Sequence, residues 1–399
     1  MGLLRFISSG DWQLSNRGTI AGKVVLKNGI NQLLVDKIKS LNALCEYAEE
    51  GGADLIAIPG DVFDHTNPDD VSKQAAVEAI ERLSDVAPVV IVRGNHDGGK
   101  GSEISSALSS FGKKLRAYGW VYVSEYPEVI PLVLKDYKVN VFCLPFPRKS
   151  VISQQIKGMA PDELSVTISR KMEDILTGFN AVREGDGVNV LVGHFSVAGS
   201  RYSKDQYVPP FDIQVREEYL ERFDVVMLGH LHEPQKYYSG TIARGGFGEE
   251  SMEVGFKVHD WDSETRTAKE QFIKLPARDF VTIDVKTLLE TDPESLRVMY
   301  LESVLRVKGS VKRHEYDTVS RKIRSLGIPY LKNAVEVEPE LARLSGNGNG
   351  ADVAEELSIA EAVRLWGKGR DGMDKVIDGI VKEAELIENK WKAAREVTT

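Results

Sequence analysis

Cysteine is almost missing from the chain: Cys45 and Cys143 are the only two in 399 residues. Two isolated thiols supply neither a disulfide framework nor a cysteine-based zinc cage, and they point to a reducing, cytoplasmic compartment. Long apolar runs are missing as well. No stretch reaches the roughly 18 residues needed to cross a bilayer, and the opening MGLLRFISSGDWQL turns polar too soon for a secretory signal. A surplus of positive charge is also absent. A net charge of −9 excludes a broad basic face for nucleic acid, although not a local one.

What remains is a soluble globular composition, 42% hydrophobic and 28% charged, in a chain long enough for two or three domains. Through residue 275 or so, apolar β-rich runs alternate with amphipathic stretches. LLRFISS, DLIAIPGD, PVVIVRGNHD, VNVFCLPF, VNVLVGHF and DVVMLGH read as strands, and NQLLVDKIKSLNALCEYAEEGG and DDVSKQAAVEAIERLSD as helices. Continuous Val/Ile/Leu strands separated by helices imply a layered α/β domain whose sheets are covered on both faces. KYYSGTIA, MEVGFKVHDW and TAKEQFIKL then suggest an antiparallel return. A second, α+β unit is expected over 276–340, with strands in DFVTIDV, SVLRVKGSV and YLKNAVEVEP around the helix EYDTVSRKIRSLG. A Gly/Asn linker follows at 341–351, and a helical region over 352–399 ends the chain. There Met373, Val376, Ile377, Ile380, Val381, Ala384, Ile387 and Trp391 form one apolar stripe. It needs something to pack on, its own chain or a partner.

The polar residues at the strand ends carry the chemistry. Asp11 follows RFISSG, Asp61 follows LIAIPG, Asn95, His96 and Asp97 follow VVIVRG, His194 follows VLVG, and His230 and His232 follow VVMLG. Each such pair alone is commonplace; five Gly-flanked strand ends of this kind are not. Carboxyl ends of strands line the ligand crevice of open α/β sheets, so these side chains are expected to converge. Carboxylates, an amide oxygen and imidazoles without thiolates suit Mn²⁺, Fe²⁺ or Zn²⁺ in a working rather than a structural site. Two such ions about 3.5–4 Å apart would activate a water and clamp phosphate oxygens in an in-line displacement. His96 would protonate the leaving oxygen, held by Asp97. The reaction implied is phosphoester hydrolysis.

GDWQ, GDVFD, GNHD, GHFS and GHLH together resemble the five motifs of the calcineurin-like metallophosphoesterases. Within them, GHLHEPQKYYSGTIARGGFGEE, LPFP, GDVFDHTNP and the later RVKG are most similar to the SbcD-type nuclease subunits of double-strand-break-repair complexes. The resemblance implies an α/β/β/α sandwich over 1–275, a small capping domain that contacts DNA, and a C-terminal helical region that binds an SbcC-like ATPase. It further implies two divalent ions, Mn²⁺ foremost, and a homodimer without membrane attachment. Position by position, Asp11, Asp61 and His232 would hold the first metal, with Asp61 bridging. Asn95, His194 and His230 would hold the second, His96 and Asp97 would be catalytic, and Asp64 would either support the ligands from behind or position substrate rather than ligate. His65, His259 and His314 match no motif.

One position departs from the family. Gln13 stands where Asp-x-His is usual, and three outcomes are open: ligation through its amide oxygen, a water held in its place, or loss of the first metal and a scaffold role. A small nucleotide or cyclic diester is the alternative substrate to DNA. For DNA the cap offers Arg306, Lys308, Lys312 and Arg313, with Arg321, Lys322 and Arg324 nearby; Lys113, Lys114 and Arg116 are weaker candidates. Phosphate contacts of this kind give salt-sensitive, sequence-independent affinity.

Overall fold

The computed structural model describes residues 2–98, 106–108, 120–147, 159–204, 206, 213–338, 377–383 and 385. Lys113, Lys114, Arg116, the Gly/Asn linker and most of the C-terminal stripe lie outside them. By contacts the chain divides into two units, Met1–Glu340 and Leu341–Thr399.

Two sheets form the heart of the first unit. One contains β1 (Leu3–Ser8), β2 (Leu55–Ile58), β3 (Val89–Val92) and β4 (Val121–Ser124), all parallel. The other contains β5 (Glu128–Leu134), β6 (Tyr137–Leu144), β7 (Val188–His194) and β8 (Val225–Gly229), in the order β8-β7-β6-β5. The first sheet is extended antiparallel past β1 by β9 (Gly255–Asp262) and β10 (Thr267–Lys274). Every residue of β2, β3, β7 and β8 is buried, as strands covered on both faces must be. Leu4, Phe6, Leu55, Ala57, Val90 and Val92 of one sheet meet Val139, Val141, Val190, Val192 and Met227 of the other in one apolar layer.

Helices close the outer faces. Helix α1 (Gln32–Gly51) starts where the Asn31 side chain accepts from the Leu33 amide, and α2 (Asp70–Val86) where Asp69 accepts from Ser72. Such caps satisfy amides that have no partner inside the helix. Their buried stripes, Leu34, Leu41, Leu44 and Ala48 on α1 and Ala76, Ala79, Ile80 and Leu83 on α2, pack beneath Ile7, Ile56, Ile58 and Ile91. On the far side α3 (Pro161–Ala181) sets Met172, Leu176 and Phe179 against Phe142, Leu191 and Leu228. The result is the expected α/β/β/α sandwich. KYYSGTIA does not become a strand; Tyr238 makes only isolated bridges to Leu228 and Gln235.

The cap is a three-stranded parallel sheet of β11 (Phe280–Asp284), β12 (Val304–Val311) and β13 (Leu331–Val337). Parallel neighbours require crossovers. The short helices α4 (Val285–Glu290) and α5 (Pro293–Tyr300) supply one, and α6 (Arg313–Ser325) the other. Ile20, Phe280 and Val304 join the cap to the sandwich, and Arg278 reaches Asp36 of α1 at 2.7 Å. In the second unit, described residues 377–383 are helical, with Ile377 and Val381 buried.

Candidate metal centre

The strand ends do converge. Asp11, Asp61 and His194, all buried, each present a ligand atom within 4.8 Å of the others. Asn95 Oδ1 lies 2.8 Å from His194 Nε2 and 3.0 Å from His230 Nδ1. The His230 backbone N–H donates to both Asp11 carboxylate oxygens, at 3.1 and 3.0 Å. Gln13 Nε2 sits 3.0 Å from His232 Nε2. Thus all seven residues read as metal ligands come together, although they are spread over 222 positions of chain, from Asp11 to His232.

The backbone pays for this convergence. Asp11, Gln13, Asp61 and His230 have φ of 51°, 45°, 50° and 100°, sparsely populated values for residues with a Cβ and typical of functional sites. Two glycines let neighbouring backbone close in. A Cβ on Gly94 would lie 2.1 Å from Asp61 Oδ1, and one on Gly60, at φ 90°, 2.3 Å from His194 Nδ1.

Hydrogen bonds fix which atom each imidazole presents. The His194 Nδ1–H donates to the Pro59 carbonyl at 2.8 Å, so in a neutral ring Nε2 is a bare lone pair. That lone pair faces Asn95 Oδ1 and, at 3.4 Å, Asp61 Oδ2. Three acceptors pointing at one spot repel unless positive charge sits among them. Either a proton or a cation meets the need. Burial opposes a proton on His194, but Asp61 outweighs it and lifts the ring to about 9. Burial likewise works against ionised Asp61, yet His194 and His96 hold its carboxyl well below the usual carboxylate range. The donor set fits a divalent ion.

His96 stands at the rim, its side chain 39% exposed. Its Nδ1–H donates to the Asp64 carbonyl at 2.7 Å, and its Nε2 is 3.9 Å from Asp61 Oδ2. The ring is therefore oriented by the Asp64 main chain and not, as the sequence suggests, by Asp97. Asp97 is wholly buried and accepts from the backbone N–H groups of Phe63, Val62 and Gly94; it pins the two loops that carry Asp61 and His96. Burial and the nearby Asp61 raise its carboxyl to about 6. The Asp64 side chain itself is exposed.

Three further residues escape a reading of the sequence. Glu249, buried, accepts from His232 Nδ1–H at 2.8 Å. Lys37 donates from Nζ to the Gln13 carbonyl at 2.6 Å. Gln206 accepts from the His232 N–H at 3.3 Å. Only FGEE marks any of them, without saying which glutamate faces inward. Of the cap cations, Lys308, Lys312 and Arg313 are exposed. Arg306 is instead engaged at the junction, 4.2 Å over the Phe247 ring and 3.6 Å from Glu250.

The profile of the calcineurin-like phosphoesterases matches residues 4–234, which hold every one of these ligands. The chain belongs to that family. This phosphoesterase is similar to the SbcD subunit of the nuclease SbcCD from Staphylococcus epidermidis, 28% identical over 294 residues, which is 70% of this chain and 72% of that one. Among solved structures it is similar to the 5'-nucleotidase precursor from Thermus thermophilus, with a TM-score of 0.38, 16% identity, and 69% of this chain and 55% of that one covered. It is also similar to a dimetal phosphatase from Danio rerio, with a TM-score of 0.35, 10% identity, and 64% and 92% covered. No described helix of the phosphoesterase is long and apolar enough to cross a membrane.

Proposed function

We propose that this phosphoesterase is a DNA nuclease that cleaves phosphodiesters with two divalent ions, Mn²⁺ foremost, and works with an SbcC-like ATPase. The observation that carries the chemistry is His96: an exposed ring beside a buried cluster of acceptors, with one nitrogen committed. Asp11, Gln13, Asp61 and His232 would hold one ion, and Asn95, His194 and His230, with Asp61 shared, the other. When bound, the ions supply positive charge for the phosphate oxygens and make a water acidic enough to attack. Asp64 keeps a proton on Nδ1, so His96 exchanges its proton at Nε2, on the side facing Asp61, where a leaving oxygen would collect it. Asp97 keeps the two loops at the spacing this requires.

DNA as the substrate is supported by the likeness to a nuclease subunit and by the exposed Lys308, Lys312 and Arg313 on the cap. Plasmid, hairpin and single-stranded DNA should be cut with Mn²⁺, and EDTA should abolish cutting. Bis-p-nitrophenyl phosphate should be a poor substrate by comparison. His96→Asn should lower turnover by about 10²–10⁴-fold while the protein still binds Mn²⁺. Rapid turnover of the small diester with inert DNA would overturn the nuclease reading. The ATPase is proposed to dock on the C-terminal stripe, and the dimer to form through the sandwich helices. Deleting residues 352–399 should abolish copurification with the ATPase and spare cleavage of short single strands.

A further inference from the structure

We infer that Glu249 is a positioning residue for His232, and that it strengthens the one imidazole that would serve the ion beside Gln13. The inference rests on the two-ion reading above. Glu249 is 7% exposed, and a carboxylate is seldom buried without a task or a partner. Its two oxygens are both used. Oε1 accepts from His232 Nδ1–H at 2.8 Å, and Oε2 accepts from the Gly245 backbone N–H at 2.7 Å. A carboxylate only accepts, so His232 carries its proton on Nδ1 and turns a lone pair on Nε2 towards Gln13, 3.0 Å away. A carboxylate behind an imidazole fixes the ring and makes it a better donor to a metal. Gln13 brings only an amide to the same ion, so the backing matters more here than where two imidazoles share the load.

The mounting of Glu249 is independent support. It ends a short 3-10 turn, Phe247–Glu249, whose neighbouring side chains are held from the cap. Phe247 packs edge-on to Phe280 with centroids 5.2 Å apart, and the adjacent Glu250 accepts from Thr282 Oγ1 at 2.6 Å. The carboxylate is thus aimed by a turn clamped on its other side.

Calorimetric titration of the full chain with Mn²⁺ is the test. Wild type should bind two ions. Glu249→Ala should weaken one of them by about 10–100-fold and leave the other unchanged. Glu249→Gln, which keeps the volume and one acceptor, should fall between. In a His232→Ala background, Glu249→Ala should cost nothing further. Metal-free melting curves identify a variant that has merely lost its fold, and Glu249→Gln then carries the test. Wild-type-like binding by both variants, or equal weakening of both ions, would overturn the role of Glu249 alone. A wild type that binds no Mn²⁺ would instead sink the two-ion reading itself.

Discussion

Gln13 illustrates how little of a site's character lies in the identity of its ligands. Its left-handed backbone and the Lys37 bond to its carbonyl aim its amide at His232; to ligate, the amide must present oxygen rather than nitrogen. Gln13→His should therefore tighten one of the two proposed Mn²⁺ sites, by about tenfold or roughly 1.4 kcal/mol, measured by the same titration. Gly60→Ala should do the reverse. Its Cβ would meet His194 Nδ1 at 2.3 Å with φ at 90°, so a stability loss of about 1–3 kcal/mol and weakened metal binding should appear together in melting and titration. Five of the seven proposed ligands, Asp11, Asp61, Asn95, His194 and His230, are legible in the sequence because each is a polar residue next to glycine at the end of an apolar run; Gln13 and His232 follow two positions after such a residue. Asp97 misleads because adjacency in sequence says nothing of direction: His96 points to the rim and Asp97 into the backbone below. Glu249 is illegible because no strand leads to it and it acts on a residue seventeen positions earlier.

At the scale of elements, β1, β2, β3, β6, β7 and β8 and the first two helices announce themselves by apolar runs and by caps, whereas β4, four residues long, and β5, interrupted by Pro131, do not. The segment after residue 275 gives less away. Its helices α4 and α5, six and eight residues long, are too short for a helical period to show. Its strand β12 carries Arg306, whose cation reads equally well as a DNA contact or as an internal clamp. Its stacking on Phe247, the 3.6 Å approach to Glu250 and the 3.0 Å bond to Thr282 Oγ1 favour the clamp. Arg306→Ala should thus lower stability by about 1–2 kcal/mol, read as a shifted urea midpoint. Alanine at Lys312 or Arg313 should leave that midpoint in place and instead weaken DNA binding, with a salt slope reduced by about one.

For the molecule as a whole, one buried ring sets a limit at low pH. His259 in β9 is buried, with Nε2 unpartnered, and burial together with Lys257 pushes its pKa down to about 3 from an ordinary 6.5. The unfolded chain takes up a proton that the folded one refuses. This group's contribution is therefore full above pH 6.5 and is lost as pH falls towards 3, at about 1.4 kcal/mol per unit. His259→Leu should shrink the stability difference between pH 7 and pH 4.5 by about 2 kcal/mol, measured by urea unfolding at both. A different consequence follows from Arg278 and Asp36, whose side chains are 10% and 9% exposed across the junction of cap and sandwich. A recombinant fragment ending at residue 275, where the sequence invites a cut, would leave the Asp36 carboxylate without its guanidinium partner and bare Ile20 and Phe247 to water. Such a fragment should express as inclusion bodies, and a protease that nicks the seam should release no active phosphoesterase. A minimal catalytic fragment needs to run through β13.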